Sequence, residues 1–431
     1  MNGSSDAFAQ ALAGNRLGAQ TGVYSVCSAH PLVIEAALRR GLTDQGLVLI
    51  ESTSNQVDQD GGYTGMTPGD FISWVYGMAD SIDLPHDRIL LGGDHLGPNA
   101  WRSLPEAQAM EKADVLVHDY VAAGYRKIHL DCSMALADDS SVPGVPLSDE
   151  VVARRAARLC AVAERAASAD RPVYYVIGTE VPIPGGAQEH EETLACTSVE
   201  ATRKTIEITR RAFEESGLAS AWNRVSALVV QPGVEFGDDF VIPFRPEVAH
   251  PLSQFITTVP GMVYEAHSTD YQSLEGLGAL VKGHFAILKV GPWLTYALRE
   301  ALFSLASLEE ELVRLARVPR ASGLRTVVAR VMERDTKYWK SYYRDDIEFK
   351  KFYSYSDRVR YYWNDPEVEA AVGQLLANLD LALPQALVGQ YFPDALPAVQ
   401  AGTLKNSAKD LVLFRIDAVL DIYARACGQR G

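Results

Sequence analysis

The run Leu90-Leu91-Gly92-Gly93-Asp94-His95-Leu96-Gly97-Pro98-Asn99 decides how this chain is read. It opens as a short apolar strand, ends in adjacent Asp94 and His95, and breaks at Gly97 and Pro98. An ionisable pair therefore stands at the C-terminal tip of a buried strand. The same pattern recurs along the chain: a β-rich run, a polar residue at its end, then a helical segment. The eight strand-like runs are Val23–Cys27, Leu47–Ser52, Ile89–Gly93, Lys127–Cys132, Val173–Gly178, Ala227–Gln231, Met262–Ala266 and Phe285–Val290. Most are near-continuous apolar runs, as parallel strands buried on both faces require. Helical stretches lie between them at Pro31–Arg40, Pro105–Ala123, Asp149–Ser168 and Val199–Ser216. The last opens on Thr197-Ser198-Val199-Glu200, which has capping character. Alternating strand and helix implies an α/β fold with a parallel sheet. A count of eight favours a closed (β/α)8 TIM barrel over an open doubly wound sheet.

From Pro292 onward the strand signal stops. Leu294 to Leu315 reads as a long amphipathic helix, and Tyr338 to Trp363 is dense in Tyr, Trp, Lys and Arg. We expect a barrel over residues 1–300 and a helical extension, 301–431, packed on it. The 431 residues exceed one barrel of ~250 residues but do not reach two. The net charge of −15 speaks against a nucleic-acid surface, which needs basic stripes. Five scattered cysteines form no Cys-x-x-Cys and suit a reducing compartment. Met1 to Gln20 has no apolar signal core, and no apolar run approaches the ~20 residues of a membrane span. The expected location is cytoplasmic, with no membrane or nucleic-acid partner. The oligomeric state stays open, a homo-oligomer included.

Polar residues close the strand runs in order: Ser25 and Ser28, Asn55, Asp94 with His95, Asp131, Glu180, Gln231, His267 and Lys289. Each alone has a structural reading, since a strand-end His is often simply hydrogen-bonded and an Asp before a loop often caps a helix. In a barrel these tips converge on one face. So many polar groups in one volume cost stability unless they coordinate something or one another. An active site is expected there. His95, Glu180 and His267 are the candidate ligands for a divalent metal, with zinc, manganese and magnesium all admissible. The alternative is an internal Glu180–Lys289 ion pair with no metal. No Gly-x-x-x-x-Gly-Lys-Ser/Thr, His-Glu-x-x-His or Gly-x-Ser-x-Gly occurs, and Gly276-Leu277-Gly278 lacks a third glycine. Within Tyr353 to Trp363, a helix would put Tyr355, Arg358 and Tyr362 on one face. Arg and Tyr side chains suit phosphate, and equally suit a stripe that docks the C-terminal helices.

Long blocks of the chain resemble the GatZ/KbaZ-type family, named as the non-catalytic subunits of class II tagatose-1,6-bisphosphate aldolase. They include Val26-Cys27-Ser28-Ala29-His30-Pro31, Gly61-Gly62-Tyr63-Thr64-Gly65-Met66-Thr67-Pro68, Gly92 to Asn99 and His129-Leu130-Asp131-Cys132-Ser133-Met134. Glu265-Ala266-His267-Ser268-Thr269-Asp270-Tyr271 and Leu288-Lys289-Val290-Gly291-Pro292 are others. The resemblance implies a class II aldolase-like barrel in which Asp94 transfers protons while His95 and His267 bind metal. Where those aldolases carry a His after a Gly-Thr pair, Glu180 follows Gly178-Thr179 here. Family relatives are associated with 4-epimerisation of ketohexoses and their derivatives.

The implied function is metal-dependent interconversion of D-tagatose 6-phosphate and D-fructose 6-phosphate. The C4 hydrogen lies β to the C2 ketone and is not acidic, and no nicotinamide site is evident. Cleavage and re-formation of C3–C4 avoids both obstacles. Asp94 and Asp131 are the candidate proton carriers, and Lys289 the neutraliser of enediolate charge. Ser28, Asn55 and Gln231 are candidate substrate contacts, and Tyr355, Arg358 and Arg360 candidates for the 6-phosphate. The alternative class is a stabilising partner subunit of a tagatose-bisphosphate aldolase.

Overall fold

Side-chain alternation along eight parallel strands builds the molecule. The computed structural model describes residues 3–139, 147–178 and 194–429. The barrel strands are β1 (Val23–Val26), β2 (Val48–Thr53), β3 (Ile89–Leu96), β4 (Lys127–Leu130), β5 (Tyr174–Ile177) and β6 (Val225–Val229), followed by β9 (Val263–Ala266) and β10 (Phe285–Val290). A short antiparallel ribbon, β7 (Glu235–Phe236) with β8 (Val241–Ile242), sits in the loop between β6 and β9. The barrel closes in the order β1-β10-β9-β6-β5-β4-β3-β2. All eight expected strands are present, and the fold is a (β/α)8 barrel.

Period-2 alternation divides the strand residues between two environments. Tyr24, Ile50, Leu91, Ile128, Tyr175, Leu228, Tyr264 and Leu288 point outward into the core shared with the helices. Val23, Leu49, Leu90, Val176, Ala227, Val263 and Ile287 form a separate apolar cluster with Phe8 and Leu12. These last two lie on α1 (Gly3–Arg16), so this first helix plugs the base of the barrel. Two residues beyond Leu49, Val263 and Ile287 the inward positions turn charged, as Glu51, Glu265 and Lys289, and Lys127 at the start of β4 joins them; all four are buried.

The helices start where side chains cap them. Ser148 accepts from Val151 N and opens Asp149–Ala166, and Ser198 accepts from Ala201 N and opens Val199–Glu215, as its sequence predicts. His30 Nδ1 accepts from Leu32 N at 3.2 Å and, with Pro31 at the first position, opens Pro31–Asp44. The long helix Pro292–Arg314 runs unbroken across residue 300. The C-terminal helix Ala408–Ala426 packs on it and on Pro31–Asp44, so the extension lies against the barrel's outer helices. No helix among the described residues is long and apolar enough to cross a membrane.

Candidate active site at the barrel mouth

A regular strand would send Asp94 and His95 to opposite faces. The pairing of β3 with β4 shifts between Gly93 and Leu96, and His95 takes a left-handed φ of 50°. This bulge turns both side chains toward the mouth. Gly97 follows because a Cβ there would stand 1.8 Å from the Asp131 carbonyl oxygen. Gly92 does similar service inside the barrel: its missing Cβ leaves space for Glu51, whose Oε1 would lie 2.5 Å away.

Three imidazoles meet above the charged layer. The ring of His95 is 5.1 Å from His129 and 5.0 Å from His267, and the latter two are 5.4 Å apart. Each ring has a carboxylate. His95 Nδ1 is 2.8 Å from Asp131 Oδ2, His129 Nδ1 is 3.1 Å from Asp94 Oδ1, and His267 Nε2 is 2.8 Å from Glu265 Oε1. Below them Lys127 Nζ bridges Glu51 Oε1 at 2.5 Å and Glu265 Oε2 at 2.7 Å. Lys289 contacts Glu51 and lies 3.0 Å from Asp94 Oδ1.

These contacts set the charges. Burial opposes charging of His95, yet Asp94 and Asp131 push it up to about 9. Burial likewise opposes ionisation of Asp94 and Asp131, but the neighbouring histidines hold both well below the usual carboxylate range. For Glu265, Lys127 and His267 outweigh burial and bring it to about 2. Asp270 goes the other way: burial raises it to about 6 against the backbone N–H groups of Trp293 and Gly291 and the charge of Arg360.

The donor set fits a divalent cation. Ligand atoms of Asp94, His129, Glu265 and His267 all lie within 4.8 Å of one another. His129 Nε2 is buried without a hydrogen-bond partner. Nδ1 stands between Asp94 Oδ1 at 3.1 Å and the His95 backbone N–H at 3.3 Å, so Nε2 is the ring nitrogen left to a ligand. The carboxylate behind His95 Nδ1 is the arrangement that orients a ligating histidine.

Of the residues expected from sequence, Asn55, Asp94, His95, His267, Lys289 and Arg360 line one cavity at this mouth. Asp131 stands behind His95, and its other oxygen accepts from Ser133 N at 3.1 Å and Ser133 Oγ at 2.7 Å. Ser28 lines an adjoining recess and accepts from His30 N at 3.2 Å. Three candidates stand elsewhere. Gln231 Oε1 accepts from Gly233 N at 2.8 Å and Val234 N at 3.1 Å, which shapes the turn after β6 rather than the cavity. Tyr355 packs on Tyr271 with ring centroids 4.6 Å apart. Arg358 is 2% exposed, and its guanidinium lies 3.2 Å from the Tyr342 ring centroid, the packing alternative for this segment. One helical face does not form here. The helix Ile347–Tyr353 ends first, Asp357 takes φ 44°, and a 3-10 turn carries Arg358–Tyr362. Glu180 lies outside the described residues; Lys289 finds Glu51 and Asp94 as partners.

His129, Glu265, Glu51, Lys127 and Asp270 were not among the expected site residues. For the first four the available signal is a charged or imidazole side chain inside an otherwise apolar strand, at the inward parity of its tip residue; Asp270 lies in the loop after β9, outside any strand pattern.

The chain as a whole is similar to known proteins. A solved structure described as a probable tagatose 6-phosphate kinase from Sinorhizobium meliloti is 46% identical over 94% of this chain and all of its own, with a TM-score of 0.86. A fructose-bisphosphate aldolase from Campylobacter jejuni aligns at 12% identity over 87% of this chain and 93% of its own, TM-score 0.42. The YdjI aldolase from Escherichia coli aligns at 10% identity over 86% and 94%, TM-score 0.40. The model of the D-tagatose-1,6-bisphosphate aldolase subunit GatZ/KbaZ-like family matches residues 8–428, and the chain belongs to that family.

Proposed function

We propose that this chain is a divalent-metal-dependent 4-epimerase that interconverts D-tagatose 6-phosphate and D-fructose 6-phosphate by breaking and remaking C3–C4. One observation carries the reading: a complete, mutually hydrogen-bonded set of three histidines and their carboxylates lines or backs a cavity that also receives Lys289 and Arg360. A set kept only for structure would gain from apolar replacement. The description of the Sinorhizobium relative names the same sugar phosphate.

His129 and His267, from the donor set shared with Asp94 and Glu265, would hold the cation, and His95 would join them on giving up its proton; the cation would supply positive charge beside the C2 carbonyl. Asp94 takes the C4 hydroxyl proton. It suits this role because it lines the cavity and stays ionised, whereas both oxygens of Asp131 are engaged. Electrons of the C3–C4 bond pass into a three-carbon enediolate, and the three-carbon aldehyde phosphate departs from it by a bond rotation only. Lys289 balances the enediolate charge. Asp270, the other carboxylic acid on the wall, has the raised pKa that suits proton delivery to the C4 oxygen after the aldehyde has turned its opposite face. Arg360 holds the 6-phosphate and keeps the aldehyde from leaving. Its guanidinium is itself oriented by the Asp357 carbonyl at 3.3 Å and the Tyr361 hydroxyl at 2.8 Å.

The test is NMR of the purified chain with manganese or zinc on D-tagatose 6-phosphate. Fructose 6-phosphate should appear, stop on EDTA addition, and be lost in Asp94→Asn. The family's description as an aldolase subunit favours a second reading, a stabilising partner for a separate aldolase chain. No conversion with any divalent metal, with stabilisation of an added class II aldolase, would establish that reading instead.

A further inference from the structure

We propose that the base of the barrel, opposite the mouth, carries a second site that binds the phosphate group of a small metabolite. A cavity of about 340 Å³ opens there between the starts of β3, β4 and β5 and the N-terminus of α1. Arg126 and Arg171 line it. Arg126 is 8% exposed. Its Nη1 donates to the carbonyls of Val121 at 3.2 Å and Tyr125 at 3.1 Å, while its buried Nε has no hydrogen-bond partner. No carboxylate pairs with it among the described residues. A buried guanidinium without an anion is costly, and this one faces a second cation rather than a partner. Burial and Arg171 depress its pKa, and the weaker attractions of Tyr76 and Asp170 do not offset them.

The other groups on the wall do not supply that charge. Asp170 lies 3.9 Å from Arg171, and both are solvent-exposed. His86 is paired with Asp80 at 2.8 Å and stacked on Tyr76. Among the described residues, Asp87 is the one carboxylate lining the cavity, against two guanidinium groups. The start of the 14-residue α1, where Gly3 and Ser4 line the cavity, adds the partial positive charge of its dipole at the same place. Two guanidinium groups and a helix N-terminus suit a dianionic tetrahedral oxyanion better than a carboxylate. The volume leaves room for a small carbon skeleton beyond the phosphate.

The site is independent of the chemistry assigned to the mouth, and the test keeps the two apart. Calorimetric titration with inorganic phosphate and with glycerol 3-phosphate would be run on the metal-loaded wild type, Arg360→Met, Arg171→Ser and Arg126→Gln. Binding should persist in Arg360→Met, weaken at least tenfold in Arg171→Ser and vanish in Arg126→Gln. Tighter binding of glycerol 3-phosphate supports a metabolite as occupant. Tighter binding of inorganic phosphate, absence of any binding that survives Arg360→Met, or surviving binding untouched in Arg171→Ser would overturn the proposal. Arg171 is exposed, so its variant stays informative if Arg126→Gln does not fold.

Discussion

Replacing Lys127 with Met removes one charge from the layer that supports the site and keeps the side-chain length. The Lys127 ammonium lies 2.5 Å from Glu51 Oε1 and 2.7 Å from Glu265 Oε2, and all three side chains are fully buried. Breaking one buried pair from one side costs ~3–5 kcal/mol, because a desolvated charge is left behind. Here two carboxylates lose a partner, but Lys289 still reaches Glu51 and lies 3.9 Å from Glu265. The expected loss is therefore about 4 kcal/mol at pH 8, not twice that. It should depend on pH. Lys127 is the strongest attraction holding the Glu265 carboxyl near 2 against the opposing effect of burial. Without it, burial dominates and the folded-state pKa rises above the unfolded value. A carboxyl shifted upward stabilises the fold at low pH and loses that contribution as pH rises through its folded pKa. The penalty should be smaller at pH 5 than at pH 8. Urea unfolding of chelator-treated wild type and variant at both values measures it. Adding Glu265→Gln to the variant should recover about 1–2 kcal/mol by removing the stranded charge. A loss under ~1 kcal/mol at pH 8, or one that does not shrink toward pH 5, would refute the reasoning.

Other expectations follow from single contacts. His30 must be neutral for Nδ1 to accept from Leu32 N, and burial lowers its pKa to about 3. Its contribution to stability is thus present above the unfolded pKa of ~6.5 and lost as pH falls below it, ~2 kcal/mol by pH 5; His30→Asn should flatten the denaturation midpoint over that window. His129→Ala should reduce bound divalent metal per chain, read by elemental analysis after dialysis, while circular dichroism stays native. Arg360→Met should raise the KM for D-tagatose 6-phosphate by ~30-fold, the loss of a charge-assisted contact of about 2 kcal/mol, and leave that for free tagatose nearly unchanged. Asp131→Asn should weaken metal binding through His95 by 10–100-fold on general grounds, about the range for an orienting carboxylate, and lower the pH at which His95 titrates by NMR.

The barrel was legible because its evidence is local. Strands such as Val23–Val26 and Phe285–Val290 are apolar, short and separated by helices with readable caps. Asp94, His95, His267 and Lys289 were legible as tip residues, since strand tips of a barrel share one face. Glu51, Lys127, His129 and Glu265 were not, because each sits inside a strand. Their pairing joins β2, β4 and β9, which only closure of the barrel brings together. Arg358 and Tyr355 were assigned by helical spacing. Asp357, left-handed at φ 44° and 3.0 Å from Arg299 Nε, breaks that spacing and turns Arg360 and Tyr361, not Arg358 or Tyr355, toward the cavity.

The central claim is that C3–C4 breaks while the C4 hydrogen stays on its carbon. Running the reaction on D-tagatose 6-phosphate in D2O with manganese, and reading the product by proton NMR, tests it most directly. The account predicts fructose 6-phosphate with hydrogen fully retained at C4. Deuterium at C4, or no fructose 6-phosphate at all, would contradict it.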